Sequence, residues 1–129
     1  MDNTLTLLKA LSDRNRLRIV LALTQYEELC ACQITELLQV RGATASRHLS
    51  QLTGCGLLQD RKEGRWVWFR LLEANRHQPL LHWLHSNTAA SAEYRHDKQR
   101  LKQITAMDPA ALCRQQRGET CCPSESLPL

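Results

Sequence analysis

Apolar residues recur along this chain first at helical spacing, then at a period of two, then helically again. Over 4–11, Leu5, Leu8 and Leu11 fall near one face and predict a short helix. Ser12-Asp13 offers an N-cap for a second helix from Arg14 to about Thr24, with Leu17, Val20, Leu21 and Thr24 recurring on its inner side and Arg14, Arg16 and Arg18 on its polar side. Glu27-Glu28 breaks the pattern. Ile34, Leu37 and Leu38 mark a short third helix beginning near Ala31, and Gln39 to Gly42 reads as a turn. A fourth helix follows from about Ala43 to Gly54, over an inner stripe of Ala45, Leu49 and Leu52. A short helix, a turn containing glycine and a second helix make the helix-turn-helix pattern. Over 57–71 the period becomes two: Val67, Phe69 and Leu71 alternate with Trp66, Trp68 and Arg70, and Glu63-Gly64 marks the tip of a two-stranded hairpin. After Asn75 the helical period returns, with an apolar patch of Leu80, Leu81, Trp83 and Leu84 and a longer, largely polar stretch over 89–107. Asp108-Pro109 starts another helix, and Gly118, Pro123 and Pro128 predict a flexible tail over 117–129. The fold class expected is mainly α with one β-hairpin, a winged helix-turn-helix. The expected division is a winged helix-turn-helix domain over 1–107 and a cysteine-containing tail over 108–129.

At about 100° per residue, Ala43, Arg47 and Ser50 point away from the inner stripe of the fourth helix, flanked by Ser46 and Gln51. Small and hydrogen-bonding side chains suit a face entering a major groove, where bulk clashes and donors read base edges; a solvated face is the alternative. Arg61, Lys62 and Arg65 lie near the hairpin tip, where they can reach phosphates beside the groove. The bland reading there is a structural hairpin with incidental charges, and its position after a helix-turn-helix favours the wing.

Composition and charge narrow the classes. With 129 residues, 43% hydrophobic and 23% charged, the chain reads as one soluble domain. No apolar run approaches the ~20 residues of a membrane span, and MDNTLTLLKA lacks the features of a signal peptide, so the expected location is the cytoplasm, with no membrane partner. The net charge of +4 is mild. Its distribution says more, because Arg41, Arg47, Arg61, Lys62, Arg65 and Arg70 crowd into 41–70. No phosphate-binding glycine loop and no defensible nucleophile–base constellation argues for an enzyme.

Six cysteines in a reducing compartment point to metal binding or redox chemistry before disulfide scaffolding. Cys30-Ala31-Cys32 is a short chelate of two soft sulfurs near a helix N-terminus, where the dipole favours thiolate. Residues i and i+2 on a regular helix point about 200° apart, so one ion held by both has to unwind or tilt the first turn. Buried packing is the alternative for this pair. It is the favoured reading for Cys55, while the vicinal Cys121-Cys122 is balanced between ligand and bystander.

The segments LKALSDRNRLRIVLAL, ELCACQITELL, ATASRHLSQLTGCGLL and DRKEGRWVWFRL together resemble the ArsR/SmtB family of metal- and metalloid-sensing repressors, over roughly 4–85. ELCACQ resembles the ELCVCD segment of its arsenic-responsive members. The resemblance implies a homodimer joined by its first and last helices, binding double-stranded operator DNA at an inverted repeat. It implies Thr44, Ser46 and Arg47 at the DNA beside Ser50 and Gln51, with Arg61, Lys62 and Arg65 on the wing. His48 matches a family histidine, but lies toward the buried flank and is expected to pack. The resemblance implies no cofactor for DNA binding, and release by As(III), Sb(III) or methylarsenite at Cys30 and Cys32. One departure stands out: the family's third cysteine is Thr35 here, a poor ligand for arsenic. Either Cys113, Cys121 or Cys122 supplies a third sulfur, or the site has two thiols and takes a methylated trivalent arsenical. Two rivals remain. A zinc sensor would use His82, His85 and His96, although Trp83 and Gln99 stand where acidic ligands belong. A thiol redox switch would use Cys30 and Cys32, or Cys121 and Cys122.

Overall fold

Seven helices and three strands, in the order α1 (Asp2–Leu11), α2 (Arg14–Gln25), β1 (Leu29–Cys30), α3 (Ala31–Leu38), α4 (Gly42–Gly54), β2 (Leu58–Glu63), β3 (Trp66–Leu71), α5 (Gln78–Thr88), α6 (Ala92–Ala106) and α7 (Pro109–Gln115), make up the described residues of a computed structural model. Those residues are 1–72 and 78–116. Gly118, Cys121, Cys122, Pro123 and Pro128, with the tail predicted around them, lie outside the described residues.

Local chemistry sets the element ends. Asp13 caps α2 by accepting from the Arg16 backbone N–H at 3.0 Å. Ser91 caps α6 and Asp108 caps α7, with Pro109 in the first turn of the latter. Cys30 is the N-cap of α3 in an extended conformation, and its backbone N–H donates to Gln33 Oε1 at 2.9 Å in a reciprocal capping box. The hairpin closes through Gly64 and Arg65 between paired Glu63 and Trp66, and Gly64 takes the positive φ of 61° that the first position of such a turn demands.

The hairpin has a third strand that alternation did not reveal. β1 pairs antiparallel with β3, giving the order β1-β3-β2. A two-residue strand is too short to show a period, and its register comes entirely from its partner. In α2 the burial falls on Ile19, Val20, Leu21, Ala22 and Leu23, whereas Thr24 is exposed. The expected inner face included Thr24, and the structure corrects it: α3, α4, α5, α6 and β3 all pack on α2, so burial runs through every residue from Ile19 to Leu23 and stops before Thr24.

One core joins all layers, with Ile19, Leu29, Ile34, Leu37, Leu52, Leu57, Leu101 and Leu112 fully buried. The stretch read as largely polar contributes Tyr94, Asp97, Leu101 and Ile104 to it. Asp97 is admitted by Arg18, whose Nε and Nη2 donate to its two oxygens at 2.8 and 3.0 Å while Nη2 also reaches Leu37 O at 3.1 Å. That pairing holds the Arg18 guanidinium above its ordinary range, against burial. From α6 the chain turns back, so that α7 packs on α3. Among the described residues, no helix is long and apolar enough to cross a membrane.

Candidate nucleic-acid interface and thiol site

The inner stripe of α4 seats Ala45, Leu49 and Leu52 in the core, leaving Ala43, Ser46, Arg47, Ser50 and Gln51 exposed and Thr44 half-buried. A groove runs beside this face, lined by Ser46, Ser50 and Thr53 of α4 and by Asp60 and Lys62 of the hairpin. His48 fixes the flank of the helix. Its Nδ1 lies 3.3 Å from Arg16 Nη1 and 3.9 Å from Asp13 Oδ2, while Arg16 Nε donates to Ala10 O at 2.6 Å. Burial holds the imidazole below its ordinary range, and the charges of Arg16 and Arg47 push the same way against Asp13. A neutral ring can accept the Arg16 donor, so His48 ties α4 to the α1–α2 junction.

The three basic residues of the hairpin differ. Lys62 and Arg65 are exposed and, among the described residues, make no ion pair. Arg61 is engaged inside the protein: Nε and Nη2 donate to the two oxygens of Glu28 at 2.7 Å each, and Nη1 donates to Glu63 Oε1 at 3.0 Å. Its guanidinium also lies 5.9 Å from the centre of the Trp68 ring. The Arg61 hydrogen bond lowers the Glu28 carboxyl below its ordinary value, outweighing desolvation.

Both cysteines of the Cys-x-Cys motif are fully buried. They do not stand as i and i+2 on a regular helix, because Cys30 is the extended N-cap and only Cys32 lies within α3. The 200° divergence expected for a helical pair therefore does not apply at Cys30. Cys32 is joined by a disulfide to Cys113 of α7, with a Cα–Cα separation of 5.8 Å across 81 residues of sequence. Gln116 reinforces this junction, its Nε2 donating to Cys32 O at 3.1 Å and Glu36 Oε1 at 3.2 Å. Thr35 is buried, and its hydroxyl donates to Ala31 O at 2.8 Å.

The remaining candidates are scattered. Cys55 is half-buried against the core, its thiol 3.4 Å from Leu52 O. His82, His85 and His96 are exposed, and His85 Nε2 sits 3.1 Å from the Tyr94 hydroxyl. Among the described residues, no group of three or more His, Cys, Asp or Glu side chains is gathered to hold a metal ion. Sequence reasoning offered Cys113 as one of three candidate partners of the Cys30–Cys32 site without singling it out or expecting a disulfide, and it missed the Glu28–Arg61 and Arg18–Asp97 pairs. Each joins residues far apart in the chain, and no local pattern signals them.

Residues 13–60 match the family model described as bacterial regulatory protein, arsR family. The chain is 48% identical over 65 residues to the arsenical resistance operon repressor of Escherichia coli K12, covering 50% of this chain and 56% of that protein. It is 43% identical over 61 residues to the cadmium resistance transcriptional regulatory protein CadC of Listeria innocua, covering 47% and 51%. The chain thus spans about half the length of the curated relatives it matches. Among solved structures, the homodimeric winged helix-turn-helix DNA-binding domain of a possible ArsR-family transcriptional regulator from Mycobacterium bovis superposes with a TM-score of 0.60 at 25% identity, covering 70% of this chain and 82% of that one.

Proposed function

We propose, from the premise that residues 13–60 are a regulatory domain of the arsR family, that this chain is a metalloid-responsive transcriptional repressor. It binds an inverted-repeat operator as a homodimer and lets go when trivalent arsenic or antimony is captured by its cysteines. The observation that carries the reading is the placement of Cys32: buried in the helix that packs on α4, and within bonding distance of a second cysteine from the far end of the chain.

In the DNA-bound state the exposed face of α4 enters the major groove, with Thr44, Ser46, Arg47, Ser50 and Gln51 toward the bases. Lys62 and Arg65 neutralise phosphates from the wing. Leu5 and Leu8 of α1, 47% and 48% exposed, and Trp83 of α5, 60% exposed, supply apolar surface for a second copy. Reduced Cys32 and Cys113 then offer two sulfurs, and Cys30 offers a third from the N-cap. This answers the loss of the usual third ligand at Thr35. Each As–S bond forms as an arsenic-bound hydroxide leaves with the thiol proton as water, so no electron is transferred. Drawing Cys30 and Cys32 onto one ion moves the start of α3, and α4 rests on that helix.

The Cys32–Cys113 disulfide favours a second reading, a thiol redox switch. In it a peroxide accepts two electrons from the two thiols, and closure of the disulfide resets α3. Fluorescence anisotropy on a labelled inverted-repeat DNA separates the readings. The reduced chain is expected to bind and to be released by arsenite or methylarsenite but not by zinc, with Cys32→Ser retaining DNA binding and losing release. Release by peroxide alone selects the redox switch, and release by zinc alone moves the sensor to the histidines of α5 and α6.

A further inference from the structure

The sheet carries a row of three residues that links the cysteine motif to the wing. Trp68, on the central strand β3, is the direct partner of Cys30 on β1 and of Arg61 on β2. Directly opposed residues project to the same face of a sheet, so Cys30, Trp68 and Arg61 stand in one line across it. Arg61 lies over the Trp68 ring and bonds both oxygens of Glu28, two residues before Cys30. The segment Glu28–Cys30 is therefore fastened to the wing twice, by the β1–β3 ladder and by a bidentate ion pair that spans the middle strand.

We propose that Arg61 is a positioning residue, which with Glu28 couples the cysteine-bearing strand to the DNA-contacting wing, and that it is not a phosphate ligand. The inference rests on the function proposed above. A phosphate ligand needs its charge available. Arg61 instead donates three hydrogen bonds of 3.0 Å or less to the carboxylates of Glu28 and Glu63, so its donors are engaged inside the protein. Bidentate geometry also fixes orientation, as a single lysine contact does not. A displacement of Cys30 on capturing an ion is thereby carried across Trp68 to β2, and Lys62 is the next residue along that strand. The recognition helix has its own route through α3. The clamp gives the wing a second route that bypasses that helix.

The test compares the reduced full-length chain with Arg61→Gln, Glu28→Gln, Lys62→Gln and Arg65→Gln, using operator anisotropy over a salt series and arsenite as the releasing probe. Loss of one phosphate contact lowers the slope of log affinity against log salt by about 0.9. Lys62→Gln and Arg65→Gln are expected to show that drop, and Arg61→Gln is expected to keep the wild-type slope. Arg61→Gln and Glu28→Gln are expected to raise the arsenite concentration for half-release by about five-fold or more, the low end of ordinary allosteric coupling. The charge-swapped pair Glu28→Arg with Arg61→Glu is expected to restore much of it. A slope lowered by about 0.9 in Arg61→Gln, or an unchanged arsenite midpoint in both clamp variants, overturns the proposal while the repressor reading stands. A wild-type chain that arsenite does not release overturns the repressor reading and the clamp together.

Discussion

Helices α3 and α4 are neighbours, and their surfaces are built in opposite ways. In α3 every residue except Glu36 is buried, between α4 on one side and α6 and α7 on another. In α4 only the inner stripe is buried with Gly42, and the outer face carries serine, arginine and glutamine side chains open to solvent. A surface that reads another molecule has to be exposed, with donors not already spent inside the protein. A helix that senses has to be packed on all sides, so that a change in its position is forced on its neighbours. In the function proposed above, a signal enters at the start of α3, where Cys30 is the N-cap and Cys32, in the first turn, is joined to Cys113 of α7.

The sharpest test of this contrast is a pair of truncations. Leu37→Ala removes a fully buried side chain from α3 and is expected to cost about 3 kcal/mol, counting the cavity left behind. Arg47→Ala on the exposed face of α4 is expected to leave stability within about 0.5 kcal/mol of the parent. Urea denaturation of both variants measures the difference. Similar losses would mean that the outer face of α4 is structural, and the contrast would fail.

The same two helices show what a sequence can and cannot disclose. The stripe Ala45–Leu49–Leu52 and the turn at Gln39–Gly42 lie within a few residues of each other, so their spacing alone reveals α4 and its exposed side. The switch to alternation reveals the hairpin for the same reason. The surroundings of α3 come from elsewhere. Cys113 is 81 residues from Cys32, and Asp97 is 79 from Arg18. β1 takes its register from β3. The spacing of Cys30 and Cys32 announces thiol chemistry, and only the return of α7 shows which further sulfur is at hand. Arg61 is the subtler case: its position at the wing suggests DNA, and Glu28, 33 residues earlier, changes its role.

A smaller effect sharpens the assignment of the reading face. Arg47→Ala is expected to weaken operator binding by about 1–3 kcal/mol and to relax discrimination at one base pair, if its guanidinium reads a base edge. Competition with operators substituted one pair at a time measures this. A loss uniform across all sequences, with a salt slope lower by about 0.9, would instead make Arg47 a phosphate contact, with the bases read by Ser46, Ser50 and Gln51.

The smallest expected effect concerns the flank where α4 meets the α1–α2 junction. Burial, Arg16 and Arg47 hold the His48 imidazole below its ordinary value of 6.5, and Asp13 only partly offsets them. Below pH 6.5 the unfolded chain therefore binds the His48 proton more readily than the folded one. Stability tied to this residue is complete above 6.5, and falls as pH drops from there to the folded-state value. Asp13 works in a lower interval. Its carboxyl is held below its ordinary 3.8, chiefly by the Arg16 backbone N–H, so its contribution is present above 3.8 and lost as pH falls through the folded-state value. The two can be separated. His48→Gln keeps an acceptor for Arg16 and removes the titration, so its urea midpoint should lose the slope just below pH 6.5 and retain the one at lower pH. An unchanged slope in that upper interval would overturn the link to the His48 proton, and His48 would then hold α4 by packing alone.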